Sequence, residues 1–342
     1  MTNSTENLFA EMKPFDQSIA IRRSMIPELE KRRINAVHYH RDDLFHAMAQ
    51  GEIRLFSDYP SPAIDADGQP GENLIQSTLR TWRKKRKLPV RCGPSGSIKY
   101  LTNRELMDRW AHERGIVHIT DLHIRDSKIE SVIDPRILSW FNLLTSPDHD
   151  AGPQEMMTMV VSSRGSVSDS HSDAPDGSNH CFAGRKVWLM WETFEGLNCG
   201  MEDCSREMVD ERCSFDMQRF MRMKSSRWLT ISPGQTLFLP GDYTHKVVTL
   251  EKYIGVGSFY VSLPNCLRTL SRWMLHGPLW SRDLTRGRED ELVAGIARSA
   301  RRTVHRLRSR SDRMQRQWGY DFLPQSLSAW EKSTPRQQQS LV

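Results

Sequence analysis

The chain has 342 residues, 48 Lys and Arg against 42 Asp and Glu, and six cysteines. This length predicts one large domain with extensions or two domains. The longest apolar stretches, such as residues 156–163, fall far short of the ~20 residues that cross a bilayer, so we expect no membrane span. Six cysteines in so long a chain predict reduced thiols, and the first 17 residues contain no apolar signal core. We therefore expect an intracellular protein, cytoplasmic or, in a eukaryote, nuclear.

The first part of the chain, residues 1–117, carries mainly helical signals. The clearest helix is predicted over 101–115, where Thr102 and Glu105 form a capping box. A stretch rich in Pro, Gly and Asp, 57–75, predicts a surface loop.

A different texture begins at about residue 118 and continues to 264. Short apolar runs are separated there by Gly, Pro, Ser and Asp: EMMTMVVSS, RKVWLMW, RWLTIS, QTLFLP, HKVVTL and YIGVGSFYVSL. Such runs predict antiparallel strands in a sandwich or barrel. Residues 192–228 interrupt them as an insert, a helix is predicted at 135–145, and helical texture returns over 265–342. The pattern as a whole predicts an α+β protein.

Positive charge is concentrated in residues 282–316, which hold eleven Arg against five acids. Four apolar residues recur there at helical spacing: Leu292, Ile296, Val304 and Leu307. The segment is thus predicted to be an amphipathic helix with an Arg-rich face. That face is either a solvated surface or a contact for phosphates or an acidic protein. A second basic run, 83–87, is a candidate nuclear-localisation patch.

A candidate metal site combines two segments of the strand-rich region. His171 and Asp173 form a His-x-Asp pair near its start, and His245 follows a Pro-Gly turn near its end. We expect these residues to meet from opposite walls of a small barrel. Two imidazoles and one carboxylate leave coordination positions open, which suits non-haem Fe(II) with a cosubstrate and O2, although imidazoles also suit zinc.

Lys186 stands at the head of the apolar strand KVWLMW. Strand alternation places Lys186, Trp188 and Met190 on one face. A lysine on an inner face is costly to bury without a partner, and a carboxylate ligand would remove that cost. The alternative is a lysine whose ammonium group reaches the barrel rim.

Three segments together resemble the Jumonji C (JmjC) oxygenases, which are cupin-like, Fe(II)- and 2-oxoglutarate-dependent enzymes. The segments are GSVSDSHSD (165–173), AGRKVWLMW (183–191) and PGQTLFLPGDYTHKVV (233–248), within a resemblance that covers about 118–262. The resemblance implies a double-stranded β-helix over 118–264, flanked by an N-terminal helical region and a C-terminal helical extension.

By this resemblance, three residues bind iron: His171, Asp173 and His245. Lys186 binds the far carboxylate of 2-oxoglutarate, and Ser168 occupies a position where the family often has a hydroxyl that contacts the cosubstrate. Ser258 lies near another such position, but only with a two-residue gap in the alignment. Trp188, Met190 and Tyr260 are candidates for lining the substrate pocket, although each is an equally good core residue.

The chemistry implied by the resemblance consumes 2-oxoglutarate and O2, releases succinate and CO2, and hydroxylates a C–H bond. We expect a stand-alone hydroxylase of a protein side chain or a small metabolite. Demethylation of N-methyl-lysine or N-methyl-arginine is the alternative with the same chemistry. A cupin that binds metal without 2-oxoglutarate, or a non-catalytic JmjC-like scaffold that holds nucleic acid or an acidic partner, represents a different class.

Two features leave their roles open. The insert 192–228 is rich in Met and Cys and is either an adaptable lid or a helical segment packed on the barrel. A zinc site formed by Cys199, Cys204 and Cys213 within it is an alternative, although their spacings are not those of a recognised zinc motif. The C-terminal helices are candidates for a homodimer contact, since hydroxylase-type relatives often use appended helices in that way.

Overall fold

The computed structural model describes most of the chain. The described residues are 4–59, 87–92, 97–112, 115–123, 142–143, 157–173, 175–202, 215–241, 243–270, 286–317 and 319–322. The predicted loop 57–75, basic run 83–87 and helix 135–145 lie almost entirely outside these residues, as do Cys204 and Cys213.

Helices lie before, within and after the strand-rich region. They are α1 (Thr5–Met12), α2 (Ile26–Lys31), α3 (Arg41–Gln50), α4 (Asn103–Ala111), α5 (Thr193–Asn198), α6 (Met217–Arg222), α7 (Arg286–Arg308) and α8 (Asp312–Gln317). Helix α4 begins with the predicted capping box of Thr102 and Glu105. None of the helices within the described ranges has the length and apolar character needed to cross a membrane.

The strands form two antiparallel sheets. They are β1 (Arg54–Phe56), β2 (Leu88–Cys92), β3 (Ser97–Leu101), β4 (Val117–His123), β5 (Met157–Ser162), β6 (Val167–His171), β7 (Asp176–Ala183), β8 (Lys186–Glu192), β9 (Arg227–Ile231), β10 (Thr236–Leu239), β11 (Tyr243–Thr249) and β12 (Tyr253–Tyr260). The larger sheet has the order β1-β10-β7-β12-β5-β4-β2-β3, and the smaller one has the order β6-β11-β8-β9.

The two sheets enclose a common core. Trp188, Met190 and Val247 of the smaller sheet pack in one buried cluster with Cys181 and Tyr253 of the larger sheet. Sheets that share an inner face in this way have the form of a jelly roll, so the predicted α+β, cupin-like fold is confirmed. Strands β1, β2 and β3 precede residue 118 yet belong to the larger sheet. The domain boundaries at 117 and 264 stay predictions.

Helices and the insert cover the outer faces of the sheets. The described part of the insert packs Met217, Phe220 and Met223 against Trp191 and Trp228, on the outer face of the smaller sheet. This packing agrees with the interpretation of the insert as a segment that covers the barrel. On the far side, α3 covers the larger sheet in a cluster of seven buried side chains: Leu44, Phe45, Ala47, Met48, Phe56, Phe238 and Tyr260.

The C-terminal helix is amphipathic, as predicted. Ile296, Val304 and Leu307 of α7 are buried in a cluster that contains Val261 and Leu270. Arginines 298, 301, 302 and 306 lie on its exposed face. A homodimer or an acidic partner at this face stays a prediction.

A buried carboxylate joins the barrel to the segment after β12. Asp176 accepts hydrogen bonds from Arg268 Nη2 at 2.6 and 2.8 Å, from Asn265 Nδ2 at 2.7 Å and from the backbone N–H of Gly241 at 3.0 Å. Asp176 is almost fully buried, so water cannot replace its carboxylate as the acceptor for these donors. The carboxylate therefore ties three chain segments together.

We expect Asp176→Asn to lower the free energy of unfolding by about 1–3 kcal/mol, since a neutral amide removes the buried charge that accepts hydrogen bonds from Arg268 and Asn265. Urea denaturation checks this value. Asp42→Asn is the control, because the exposed carboxylate of Asp42 pairs with Arg41 at the surface and contributes less than about 1 kcal/mol. Equal losses in the two variants would contradict a specific role for Asp176.

Candidate functional site

His171, Asp173 and His245 lie together at one end of the smaller sheet. Strands β6 and β11 are antiparallel neighbours, and His171 is the direct partner of His245. The two imidazole rings have centroids 4.2 Å apart, and His245 Nε2 lies 3.9 Å from Asp173 Oδ2. One ligand atom from each residue lies within 4.8 Å of the others.

This arrangement corrects one expectation. The two histidines do not come from opposite walls of the barrel, because they lie on adjacent strands of the same sheet. Antiparallel pairing brings side chains that are opposite each other to the same face. Strand register therefore positions the two imidazoles, and the turn after β6 brings in the carboxylate of Asp173.

The backbone orients both imidazoles. Nδ1 of His171 lies 2.7 Å from the carbonyl oxygen of Asp169, and Nδ1 of His245 lies 3.3 Å from that of Tyr243. An Nδ1–H that donates to a carbonyl leaves the lone pair on Nε2, where a metal binds. Burial, with the nearby imidazole of His171 as the second cause, holds the pKa of His245 well below its usual value. Neutral imidazole is the form that ligates a metal.

The site is buried on one side and open on the other. His245 is 3% exposed, whereas the side chain of Asp173 is 39% exposed. Two imidazole nitrogens and one carboxylate oxygen on one side of an ion would leave its other positions open to ligands. The residues present therefore fit a 2-His-1-carboxylate metal centre.

Lys186 lies inside the barrel without a carboxylate partner among the described residues. Its side chain is 2% exposed, and Nζ lies 4.2 Å from the centre of the Tyr253 ring. Burial lowers the pKa of Lys186 from 10.5 to about 7. Met190 lies opposite His245 in the β8–β11 pairing, and Lys186, four residues before Met190 in β8, lies opposite Thr249. The buried amine lies on the same inner face as the candidate metal ligands, where it could pair with a carboxylate of a bound ligand.

Ser168 takes part in a buried hydrogen-bond chain with residues that sequence reasoning missed. Ser168 Oγ lies 3.1 Å from His118 Nε2, and His118 Nδ1 lies 2.7 Å from Ser162 Oγ. Burial holds the pKa of His118 well below its usual value, with the charge of Lys186 as the next cause. The charge of Lys186 therefore contributes to the low pKa of His118. The sequence signal that could have found it is the alternation of β4, in which polar His118 lies between apolar Val117 and Ile119.

Asn179 and Tyr253 were also missed. The Tyr253 hydroxyl donates to Asn179 Oδ1 between β12 and β7, and the ring of the same tyrosine contacts Lys186. These polar side chains lie in the interior beside the lysine. Tyr253 begins an apolar strand in the sequence, so only the alternation of β12 could have pointed to it.

The structure does not bring Ser258 and Tyr260 to the triad. The Tyr260 hydroxyl is 2.7 Å from Ser178 Oγ and also bonds to Ser258, and the Tyr260 ring packs with Phe45 and Phe238 under α3. The physical reason is the alternation of β12, which turns Tyr253 inward and the even-numbered Ser258 and Tyr260 outward. These two residues therefore belong to the outer face of the larger sheet.

Trp188 and Met190 lie in the interior, as predicted from the alternation of β8. The Trp188 ring lies against His245, with centroids 5.1 Å apart and planes inclined by 31°. Among the described residues the triad is the one group of three or more potential ligands that could hold a metal ion. Cys199 of the suggested zinc set is partly buried, and its two companions lie outside the described residues.

The fold and the triad define a class of protein: a jelly-roll barrel with two histidines and one carboxylate on its inner face that could hold a metal ion. Comparison with family models agrees with the fold, because residues 125–266 match the family described as "Cupin-like domain". This stretch of the chain is thus similar to cupin-like domains, the kind of domain that covers JmjC-type oxygenases. A search of curated proteins finds no match.

Proposed function

We propose that the protein is an Fe(II)- and 2-oxoglutarate-dependent oxygenase that hydroxylates a C–H bond of a protein side chain or a small metabolite. One observation carries the proposal: an open His-His-Asp triad shares the barrel interior with a buried lysine that has no carboxylate partner among the described residues. A bound zinc or iron ion would account for the triad but not for the buried lysine. A dicarboxylate cosubstrate bound to the metal would account for Lys186 as well.

His171, Asp173 and His245 would hold the metal, and Lys186 would bind the remote carboxylate of 2-oxoglutarate. Bound Fe(II) supplies the activation of O2, and the balanced reaction converts substrate C–H, 2-oxoglutarate and O2 into C–OH, succinate and CO2. The Nδ1 hydrogen bonds of the histidines keep Nε2 free as the ligand atom. The apolar interior formed by Trp188 and Met190 would limit the access of water to the reacting groups.

The test is succinate formation by the full chain without substrate. Protein loaded with Fe(II) is incubated with 2-oxoglutarate and ascorbate in the presence and absence of O2, where ascorbate supplies the two electrons that reduce the second oxygen atom to water; a Zn(II)-loaded sample is the control. We expect slow succinate formation that requires both Fe(II) and O2. If none forms, calorimetry with the Mn(II)-loaded protein measures 2-oxoglutarate binding, and absence of binding would contradict the proposal and favour a metal-binding cupin or a scaffold.

The same assay separates the two oxidative alternatives once a substrate is found. Hydroxylation adds one oxygen atom to the substrate, whereas hydroxylation of an N-methyl group releases formaldehyde and a demethylated amine. Mass spectrometry of the product and a formaldehyde assay distinguish them.

A further inference from the structure

Trp188 occupies the level of the barrel between the triad and Lys186. In the smaller sheet, Met190, His245 and His171 are paired across β8, β11 and β6. The next inward-facing level contains Trp188 and Val247, and Lys186 follows at the third level, opposite Thr249. A ligand that reaches from the metal to Lys186 must therefore pass Trp188.

The indole N–H of Trp188 is buried without a partner among the described residues. Trp188 is 8% exposed, and its Nε1 forms no hydrogen bond within the described ranges of the chain. The indole of Trp228, on the outer side of the same sheet, instead donates to the carbonyl oxygen of Leu29 at 2.7 Å. Buried donors in folded proteins are nearly always satisfied, because an unmade hydrogen bond costs free energy. The unsatisfied donor thus points to an acceptor that binds from solution.

The chemistry of the neighbours indicates which acceptor. The Trp188 ring lies against His245, and Lys186, on the same face of β8, has no carboxylate partner among the described residues. Trp188 lies between a candidate metal ligand and a buried ammonium group, which is the path that an anionic, oxygen-rich ligand bound to both would take. An apolar substrate would leave the N–H unsatisfied.

We propose that Trp188 Nε1–H donates a hydrogen bond to an oxygen of 2-oxoglutarate, which makes Trp188 a recognition residue for the cosubstrate in addition to its packing role. The inference rests on the proposed function. It assigns to this chain a donor whose hydrogen bond forms only when the cosubstrate is bound.

The test compares Trp188→Phe with Trp191→Phe. Both residues lie on β8, but Trp191 faces the outer cluster with Phe215 and Phe220. Calorimetry measures the binding of 2-oxoglutarate to Mn(II)-loaded protein. We expect Trp188→Phe to bind about 10-fold to 100-fold more weakly, as for a lost hydrogen bond to a charged group. We expect Trp191→Phe to bind like the wild type, and both variants to keep their Mn(II) affinity.

A second measurement uses the wild-type chain and does not depend on the folding of Trp188→Phe. The protein is labelled with 15N-tryptophan, and spectra of Zn(II)-loaded and Mn(II)-loaded samples are compared. Among the tryptophans that the structure describes, Trp188 lies against a candidate metal ligand, so we expect Mn(II) to broaden its indole resonance most strongly, which assigns it. We expect 2-oxoglutarate to move its proton resonance downfield. A purely structural role for Trp188 predicts no such shift.

The outcomes separate this inference from the proposed function. If the wild type binds 2-oxoglutarate, but the Trp188 resonance does not move and Trp188→Phe binds equally well, only the inference is overturned. If the wild type binds Mn(II) without binding 2-oxoglutarate, both are overturned.

Discussion

Replacing Lys186 with methionine is expected to weaken 2-oxoglutarate binding by about 100-fold or more while leaving metal affinity within about twofold. Methionine keeps a long side chain in the barrel but removes the charge, so the remote carboxylate of the ligand would be buried without a counter-ion. Loss of one partner of a buried, hydrogen-bonded charge pair costs about 2–5 kcal/mol. Calorimetry with the Mn(II)-loaded protein measures both affinities.

Lys252→Met is the matched control for this experiment. Lys252 follows β11 and its ammonium group lies 5.7 Å from the centre of the Trp110 ring, on the outer side of the larger sheet. Its replacement removes the same charge from the chain without touching the interior. Wild-type affinity for 2-oxoglutarate in Lys186→Met would show that the buried lysine does not recognise a carboxylate.

The burial of Lys186 also makes the stability of the ligand-free protein depend on pH. The pKa of Lys186 is about 7 in the folded chain and 10.5 in its ordinary state. Below pH 7 both states hold the proton and the full cost of burying the charge opposes folding. As the pH rises above 7, the folded state releases the proton while the unfolded state keeps it, so the free energy of unfolding rises.

Between pH 7 and 8.5 this group adds about 1–2 kcal/mol to the free energy of unfolding. Buried His118 and His245 have lowered pKa values and titrate below this range, and burial raises the pKa of Cys181 to about 12. Urea denaturation of wild type and Lys186→Met at both pH values isolates the lysine. The same increase in both proteins would contradict the assignment.

The parts of the site that could be predicted from sequence are those that depend on local pattern. The His-x-Asp pair and the alternation of β8 placed His171, Asp173, Lys186 and Trp188 without knowledge of strand order. Ser258 was the weaker prediction, because its alignment needed a two-residue gap, and the structure places it on the outer face of the larger sheet beside Tyr260.

The remaining features depend on pairing between distant segments. His118 enters the interior because β4 pairs with β5, and β1 joins the larger sheet through β10. Neither pairing leaves a periodic signal, because register between strands far apart in the chain is set by the packed core and not by either strand alone. The position of His171 beside His245 is a further result of such pairing.

Removing the imidazole of His171 is expected to have the largest effect on metal binding. His171→Ala leaves one imidazole and a partly exposed carboxylate, which cannot hold Fe(II) or Mn(II) against water at micromolar concentration. We expect the affinity for Mn(II) to fall by more than about 100-fold, at least the loss seen when residues that only support a metal ligand are replaced. In a thermal unfolding series, Mn(II) should stabilise the wild type and leave the variant unchanged.

His180→Ala is the control for the loss of a buried histidine outside the triad. His180 lies on the outer face of β7, where its Nδ1 is 2.7 Å from Thr236 Oγ1, and burial lowers its pKa to about 4. It is a buried, neutral histidine like His245 but lies on the other side of the sheet from the interior. Loss of Mn(II) stabilisation in His171→Ala alone would identify the triad as the metal centre. Equal Mn(II) stabilisation of wild type and both variants would mean that the triad does not bind the metal and only forms hydrogen bonds. A metal-bound ligand would then no longer explain the burial of Lys186.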